Sequence, residues 1–379
     1  MSNVLTALQP VLFSAGRDVP RELVGMLAAC TTDYDDKGVA KGDSVLVPVI
    51  PAMTRAAVTP AQVFTVGADR TPTTQTLKLN QFDEVTWNLN PEQERSLMNS
   101  GVAQETFRQT VIQAFRTLIN YIEVFTCTAA AKTASRAYGT AGTTPFGSDI
   151  TAVANFRKIL DDNGAGVMDR QVVMNTAAGV NLRNNGIFKV NEAGSSDPLR
   201  RGSLLDIHNF SFRESAGIQT PTKGTGASYT TDSAGYAVGA TAITLITGTG
   251  SILAGDIVTF AGDTNKYVVG TALVGAAPGV VTLQEPGLRV AIAASPTAIT
   301  VGATAAQNLA FQKRAIIAVV RPGLQPVGAV AEQMVISDPL TGFSALLLRV
   351  PGSAITSWYL RVVYDTFSPN PYAIATVLG

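Results

Sequence analysis

The longest regular pattern in the chain is helical. Phe107, Val111, Phe115, Leu118, Ile122 and Phe125 recur at spacings of three and four, and residues 103–137 contain no Pro or Gly. That period predicts one amphipathic helix, roughly 50 Å long at 1.5 Å per residue. This is long for a globular enzyme and suits a backbone on which other parts are mounted. Asn90-Pro91-Glu92-Gln93 supplies a start, with Asn as cap, Pro at the first helical position and Gln three residues after the cap. Ser100-Gly101 marks a kink or interruption.

Ahead of the helix the pattern is extended. Val45 to Pro51 is rich in β-formers but broken by prolines, as in an edge strand or an extended arm. Residues 52–76 hold few large apolar groups. Alternation then returns in Leu77-Lys78-Leu79-Asn80 and Val85-Thr86-Trp87-Asn88-Leu89. Two β runs framing an apolar-poor middle predict either a long hairpin arm projecting from the body or an ordinary two-stranded excursion on its surface. Residues 1–30 read as an arm with short helical pieces. Asp18 and Pro20 start one of them, with Leu23, Met26 and Leu27 as its apolar face. So short a helix is unstable alone, so this face needs a surface to dock on, a neighbouring subunit being one candidate.

Beyond the helix, Gly139 to Gly147 breaks the pattern. Asp149 caps a helix through Leu160, Arg170 to Asn175 reads as a strand, Thr176 to Asn184 as a helix, and Leu204 to Phe212 as a strand carrying His208. Composition shifts near Thr220. From there to about Gln307 short β runs recur at Ala242–Ile246, Ile257–Phe260, Lys266–Val269, Val280–Leu283 and Ile299–Val301, separated by Gly and Pro. That spacing predicts a small all-β barrel or sandwich. Strand runs resume at Ile316–Pro322, Ala345–Val350 and Tyr359–Tyr364, so the β block reads as inserted into an α/β domain.

Charge narrows the function classes. Lys+Arg and Asp+Glu both number 28 in 379 residues, and only 15% of residues are charged. Soluble domains average about 25%; so sparse a surface fits extensive self-association, with a neutral, weakly soluble enzyme as the alternative. Zero net charge argues against a dedicated nucleic-acid binder, which needs excess cations to displace counterions. Two cysteines, Cys30 and Cys127, support neither a disulfide scaffold nor a four-cysteine zinc site. Both sit in apolar contexts and read as free core thiols in a reducing cytosol. No apolar run approaches the roughly 20 residues of a membrane span, and Met-Ser-Asn-Val-Leu lacks the basic start of a signal peptide.

Candidate chemistry is sparse. The single histidine, His208, excludes any site needing several His ligands, and no Gly-x-Ser-x-Gly elbow presents a serine to it. Its place between Ile207 and Phe210 on an apparent strand favours a structural role. Lys223-Gly224-Thr225-Gly226 and Gly248-Thr249-Gly250 resemble fragments of phosphate loops but lack the required spacing. Asp161-Asp162-Asn163-Gly164 lacks the ligand ladder of a calcium loop and reads as a helix end with a Gly stop. Arg200-Arg201, the one adjacent pair of arginines, reads as a solvated loop, with contact to a neighbour or nucleic acid as the alternative. Catalytic, cofactor-binding and metal-binding residues are therefore expected to be none, and the protein is expected not to be an enzyme.

The order of parts resembles tailed-phage major capsid proteins of the HK97-type fold, and the inserted β block is most similar to the coat protein of phage P22 and its relatives. Thr86-Trp87-Asn88-Leu89 resembles that family's hairpin-to-spine junction, Leu253 to Gly262 its insertion-domain signature, and Leu309 to Ile316 with Val320-Arg321-Pro322 its return into the axial domain. Tyr364 to Leu378 resembles its closing strand pair. The resemblance implies an α+β fold divided into an N-terminal arm (1–40), an extended hairpin loop (41–89), a spine helix (90–138), peripheral and axial parts (139–221 and 308–379) and an inserted β-barrel domain (222–307). It implies a subunit that assembles with itself into pentamers and hexamers of an icosahedral shell around weakly contacted double-stranded DNA, without a membrane. A scaffolding protein and a portal are its implied partners, with room for a decoration protein. The implied location is the virion capsid, assembled in the host cytoplasm. The Lys–Asn pair and catalytic Glu that crosslink some such shells are not identifiable here. A competing reading is a cell-surface or carbohydrate-binding β-module, which predicts exposed Trp and Tyr on the β block.

Overall fold

The computed structural model describes residues 23–34, 37–49, 73–93, 95, 103–147, 149–185, 206–324, 332–337, 343–352 and 354–379. The first parts of the N-terminal arm, the middle of the hairpin loop, Ser100-Gly101 and Arg200-Arg201 lie outside these residues.

A short helix α1 (Met26–Ala29) leads into strand β1 (Thr31–Tyr34). Met26 and Leu27 are buried, but against the chain's own long helix and sheet, so the predicted docking partner is internal. β2 (Ser44–Val49) and β3 (Thr73–Lys78) pair antiparallel as a separate two-stranded ribbon, Ser44 opposite Lys78 and Val49 opposite Thr73. The ribbon's base is seated on the body through Leu77 and Leu79, which pack on Val319 and Val363. β4 (Gln81–Leu89) follows, with the expected alternation: Val85, Trp87 and Leu89 face inward, Thr86 and Asn88 outward.

The helical start at 91–93 is capped as predicted. Asn90 N–H donates to Gln93 Oε1 (3.2 Å) and Gln93 N–H to Asn90 Oδ1 (2.8 Å), a reciprocal capping box. The long helix α2 (Ala103–Thr133) has 31 residues, about 46 Å. Phe107, Val111, Phe115, Leu118 and Ile122 form its buried stripe; Phe125 is half-buried at the edge.

α2 ends at Thr133, short of the expected 138, because the following residues join a sheet. Ser135 donates its N–H (2.9 Å) and its hydroxyl (2.8 Å) to Ile374 O. Arg136–Tyr138 then forms β5. Gly139 turns the chain at φ +99°, where a Cβ would stand 2.8 Å from the Leu378 carbonyl oxygen.

The helix–strand–helix run follows as α3 (Thr151–Asp162), β6 (Arg170–Met174) and α4 (Thr176–Asn184). Asn163 caps the end of α3 and Gly164 follows at φ +75°, the Gly stop read from Asp161 to Gly164. Asn175 caps α4 through Ala178 N–H (2.8 Å). The strand expected from Leu204 to Phe212 is displaced: β7 runs Phe210–Glu214. Leu204 and Leu205 lie outside the described residues, and residues 207–210 form a tight turn instead, with His208 and Asn209 both at positive φ (51° and 67°) and Ile207 bridged to Phe210.

Six strands follow: β8 (Ala227–Thr231), β9 (Ala242–Thr249), β10 (Ile257–Phe260), β11 (Lys266–Thr271), β12 (Gly279–Leu283) and β13 (Ala298–Val301). They pair antiparallel in the order β10-β13-β8-β9-β12-β11, and β11 returns to β10, so the ring is closed. It encloses its own apolar cluster, including Tyr229, Leu245, Phe260, Tyr267 and Val281. The remaining strands are β14 (Gln307–Gln312), β15 (Ile317–Pro322), β16 (Glu332–Ser337), β17 (Ser344–Pro351), β18 (Thr356–Phe367) and β19 (Ile374–Leu378).

Two sheets organise the body, a mixed α/β arrangement. In one, β18 is the hub, with β4 on one edge and β17 then β15 along the other; β16 and β1 complete it. In the other, β5-β19-β14-β6-β7 continues into the ring, because β5 also pairs with β11. α2 packs against both sheets, and the main core gathers along it. No helix among the described residues is long and apolar enough to cross a membrane.

Candidate functional site

The features that distinguish this chain are concentrated along α2, at three stations. The first lies near its start. Trp87 and Trp358, opposite each other on β4 and β18, stack with centroids 6.2 Å apart and planes within 2°. Phe107 from α2 meets both edge-on, at 6.3 and 4.7 Å. Such pairs add about 0.5–1.5 kcal/mol each beyond area burial, so the cluster fixes the helix on the hub sheet. Further along, Tyr364 stands edge-on to Phe125 (5.3 Å), and its hydroxyl donates to Asp83 on β4. Burial and the Asp83 carboxylate push the Tyr364 phenol well up.

The second station is a buried carboxylate. Glu123 is 2% exposed. Its Oε1 accepts from Gly25 N–H (2.9 Å), Met26 N–H (2.6 Å) and the Ser215 hydroxyl (2.6 Å), and its Oε2 from Leu27 N–H (2.9 Å). One side chain thus holds the chain leading into β1, the middle of α2 and the residue after β7. Burial raises its pKa above the usual carboxylate range, opposed by these four hydrogen bonds. Cys127, one turn on, and Cys30 are buried beside it, free as expected. Burial pushes the Cys30 thiol up to about 12, and Glu123 adds to the rise; Cys127 is raised by the same causes. Both are poor nucleophiles. The signal for this station was present in the sequence: an acid spaced four residues from both Ile119 and Cys127 on the apolar face.

The third station is the junction with the ring, beyond the helix end. Arg136 on β5 is buried. It donates to Asn265 Oδ1 (3.0 Å) on the ring and to Ile159 O (3.2 Å) and Asn163 Oδ1 (3.2 Å) on the body. Arg289 of the ring donates to Asp162 O (3.1 Å), Gln284 to Lys132 O (2.9 Å), and Lys266 to Gly139 O. Polar bonds and a two-residue strand pairing seat the ring together with a small apolar contact, in which Ile257 packs with Ala137, Ala305 and Leu378 and Val268 joins the main core. On the other flank the segments leading into and out of the ring touch: Gln307 N–H donates to Gln219 O (3.3 Å) and Lys223 N–H to Thr304 Oγ1 (3.3 Å).

The remaining sequence candidates fall apart from one another. His208 is exposed at a turn tip, not on a strand, and its carbonyl accepts from Arg157 (3.5 Å). Two residues in left-handed geometry cannot continue a strand, which is why the expected strand starts late. Lys223 to Gly226 lines the ring's connecting segment, where Gly224 N–H donates to Asp256; Gly248-Thr249-Gly250 closes β9. Neither precedes a helix. Among the described residues no group of three His, Cys, Asp or Glu could hold a metal. Tyr229 and Tyr267 point into the ring rather than out of it, and Tyr236 is half-buried with its hydroxyl on Asp232.

No protein-family model matches the chain, and no curated protein matches it in sequence. Among solved structures it is similar to the capsid of cyanophage P-SCSP1u, with 11% identity, 95% of this chain and 89% of that chain covered, and a TM-score of 0.49. It is also similar to a structure of Mycobacterium phage Che8 (13% identity, 89% and 85% covered, TM-score 0.46) and to the mature capsid of bacteriophage PhiM1 (11% identity, 95% and 89% covered, TM-score 0.45).

Proposed function

We propose that this chain is the major capsid subunit of a tailed phage, with an HK97-type fold and a P22-like inserted β barrel, and that it tiles an icosahedral shell around double-stranded DNA. The observation that carries the reading is how the ring is attached. β7, before it, and β14, after it, flank β6 in one sheet, and the connecting segments touch at Gln219 and Gln307. A closed ring joined to an α/β body through two adjoining connecting segments, beside a helix of about 46 Å and a two-stranded ribbon, is the arrangement expected of such a subunit.

In this reading α2 is the spine, the β18-centred sheet the peripheral part and the β14-centred sheet the axial part. The ribbon overlaps a neighbour and adds area that no monomer buries. The role is structural rather than enzymatic: both thiols are buried and His208 is exposed at a turn tip. Zero net charge suits a wall that holds packaged DNA weakly. Pentamers and hexamers of the chain itself are the principal partners, with a scaffolding protein, a portal and a decoration protein as further ones. Its place is the virion capsid, after assembly in the host cytoplasm. The competing β-module reading needs exposed aromatic platforms on the ring, and the inward Tyr229 and Tyr267 count against it.

The test is negative-stain microscopy with sedimentation of the full-length protein, alone and with a co-expressed scaffolding protein. Closed shells or tubes are expected. A compact monomer at high concentration under both conditions overturns the proposal.

A further inference from the structure

Where the ring meets the long helix a cavity of about 380 Å³ remains, within the range of small-molecule sites. Its walls are largely apolar: Ala131 from α2, Leu253 and Ile257 from the ring, Pro221 and Ala305 from the two connecting segments, and Leu378 from β19. Two exposed lysines, Lys132 and Lys223, stand among the lining residues. Among the described residues neither ε-ammonium has an ion-pair or hydrogen-bonding partner. The one carboxylate in the lining, Asp256, is buried and committed: Gly224 N–H reaches both of its oxygens (3.2 and 3.0 Å) and Leu253 N–H donates to Oδ2 (2.8 Å). Among the described residues the two lysine charges are therefore without a counter-ion beside this largely apolar space.

We propose that this cavity binds a small amphipathic anion, its apolar body against Ala131, Leu253 and Ile257 and its acidic head between Lys132 and Lys223. Charge and shape both select this class. A cation meets two like charges, and a neutral chain of the same length forgoes the ammonium groups. Each methylene buried on the apolar walls strengthens binding about fourfold until the space is full. Because the walls come from the ring, both connecting segments and the helix, an occupant ties the ring to the body at the flank opposite the Arg136 bonds. The inference stands on the cavity alone and holds whether or not the chain forms a shell.

The experiment is a fluorescence titration of the full-length protein with 8-anilinonaphthalene-1-sulfonate, followed by displacement with decanoate or with decan-1-ol. We expect one saturable site per chain, displaced by decanoate at a concentration at least tenfold below that needed with decan-1-ol. Lys132→Gln with Lys223→Gln should weaken decanoate about tenfold. Ala303→Leu, at an exposed lining residue, should remove the site by filling it. Dye and decanoate affinities unchanged in either folded variant, or decan-1-ol displacing the dye as well as decanoate, overturn the proposal. Each variant is decisive by itself, so failure of one to fold leaves the other.

Discussion

Replacing Glu123 with Gln should unfasten one backbone amide and leave its neighbours held. In the native geometry Oε1 serves Gly25, Met26 and Ser215, while Oε2 serves Leu27 alone. A glutamine has one acceptor oxygen and one NH2 donor. Its favoured placement puts the oxygen on the three-donor side, which leaves the NH2 facing the Leu27 N–H, donor against donor. A buried N–H without an acceptor costs about 1–3 kcal/mol. At 1.4 kcal/mol per factor of ten this accelerates local opening roughly 5- to 150-fold. Amide hydrogen exchange resolved to single residues reads it directly: Leu27 should exchange faster by that factor, Met26 much less. Glu123→Leu orphans all four donors at once and should release the whole segment, Gly25, Met26 and Leu27 exchanging together. Relief of the carboxylate's burial offsets part of the cost in both variants, but not the difference between neighbouring amides. A Leu27 amide that exchanges at the native rate in Glu123→Gln refutes the assignment of Glu123 as the clamp.

The same carboxylate sets a pH dependence: its folded pKa is raised by burial, so stability from the neutral form is full below the unfolded value, about 4.3, and is lost as pH rises through the folded one. Urea midpoints should fall across that window in the native protein and stay flatter in Glu123→Gln. Phe115→Asp places a charge on a position 3% exposed in the helix stripe, at a cost of several kcal/mol. Insoluble protein is expected, and soluble, normally sedimenting protein would show the stripe to be unburied. Residues 222–307 excised as a fragment should give dispersed amide signals and cooperative unfolding, since the ring is closed and has its own core; a random-coil spectrum counts against an independent domain.

Local rules made much of this chain readable. The 103–133 helix, the capping box at Asn90 and Gln93, the Gly164 stop and the strands at 257–260 and 279–283 follow from periodicity and turn residues, because each depends on neighbours within a few positions. What the sequence could not state is which distant surfaces would capture each piece. Ala134 to Tyr138 has helical character, yet Ile374 and β11 draw it into a sheet, where its amides find partners the helix end lacks. β8 carries only Tyr229 and Thr231 inward and hides among polar residues; its place is set by β9 and β13 closing on it. His208 looked like a strand residue and became a turn, since Ile207 and Phe210 bridge across it. Glu123 is the clearest case: an acid on an apolar stripe is a conflict by sequence, and only the fold resolves it, by bringing three backbone amides from nearly a hundred residues away to meet it.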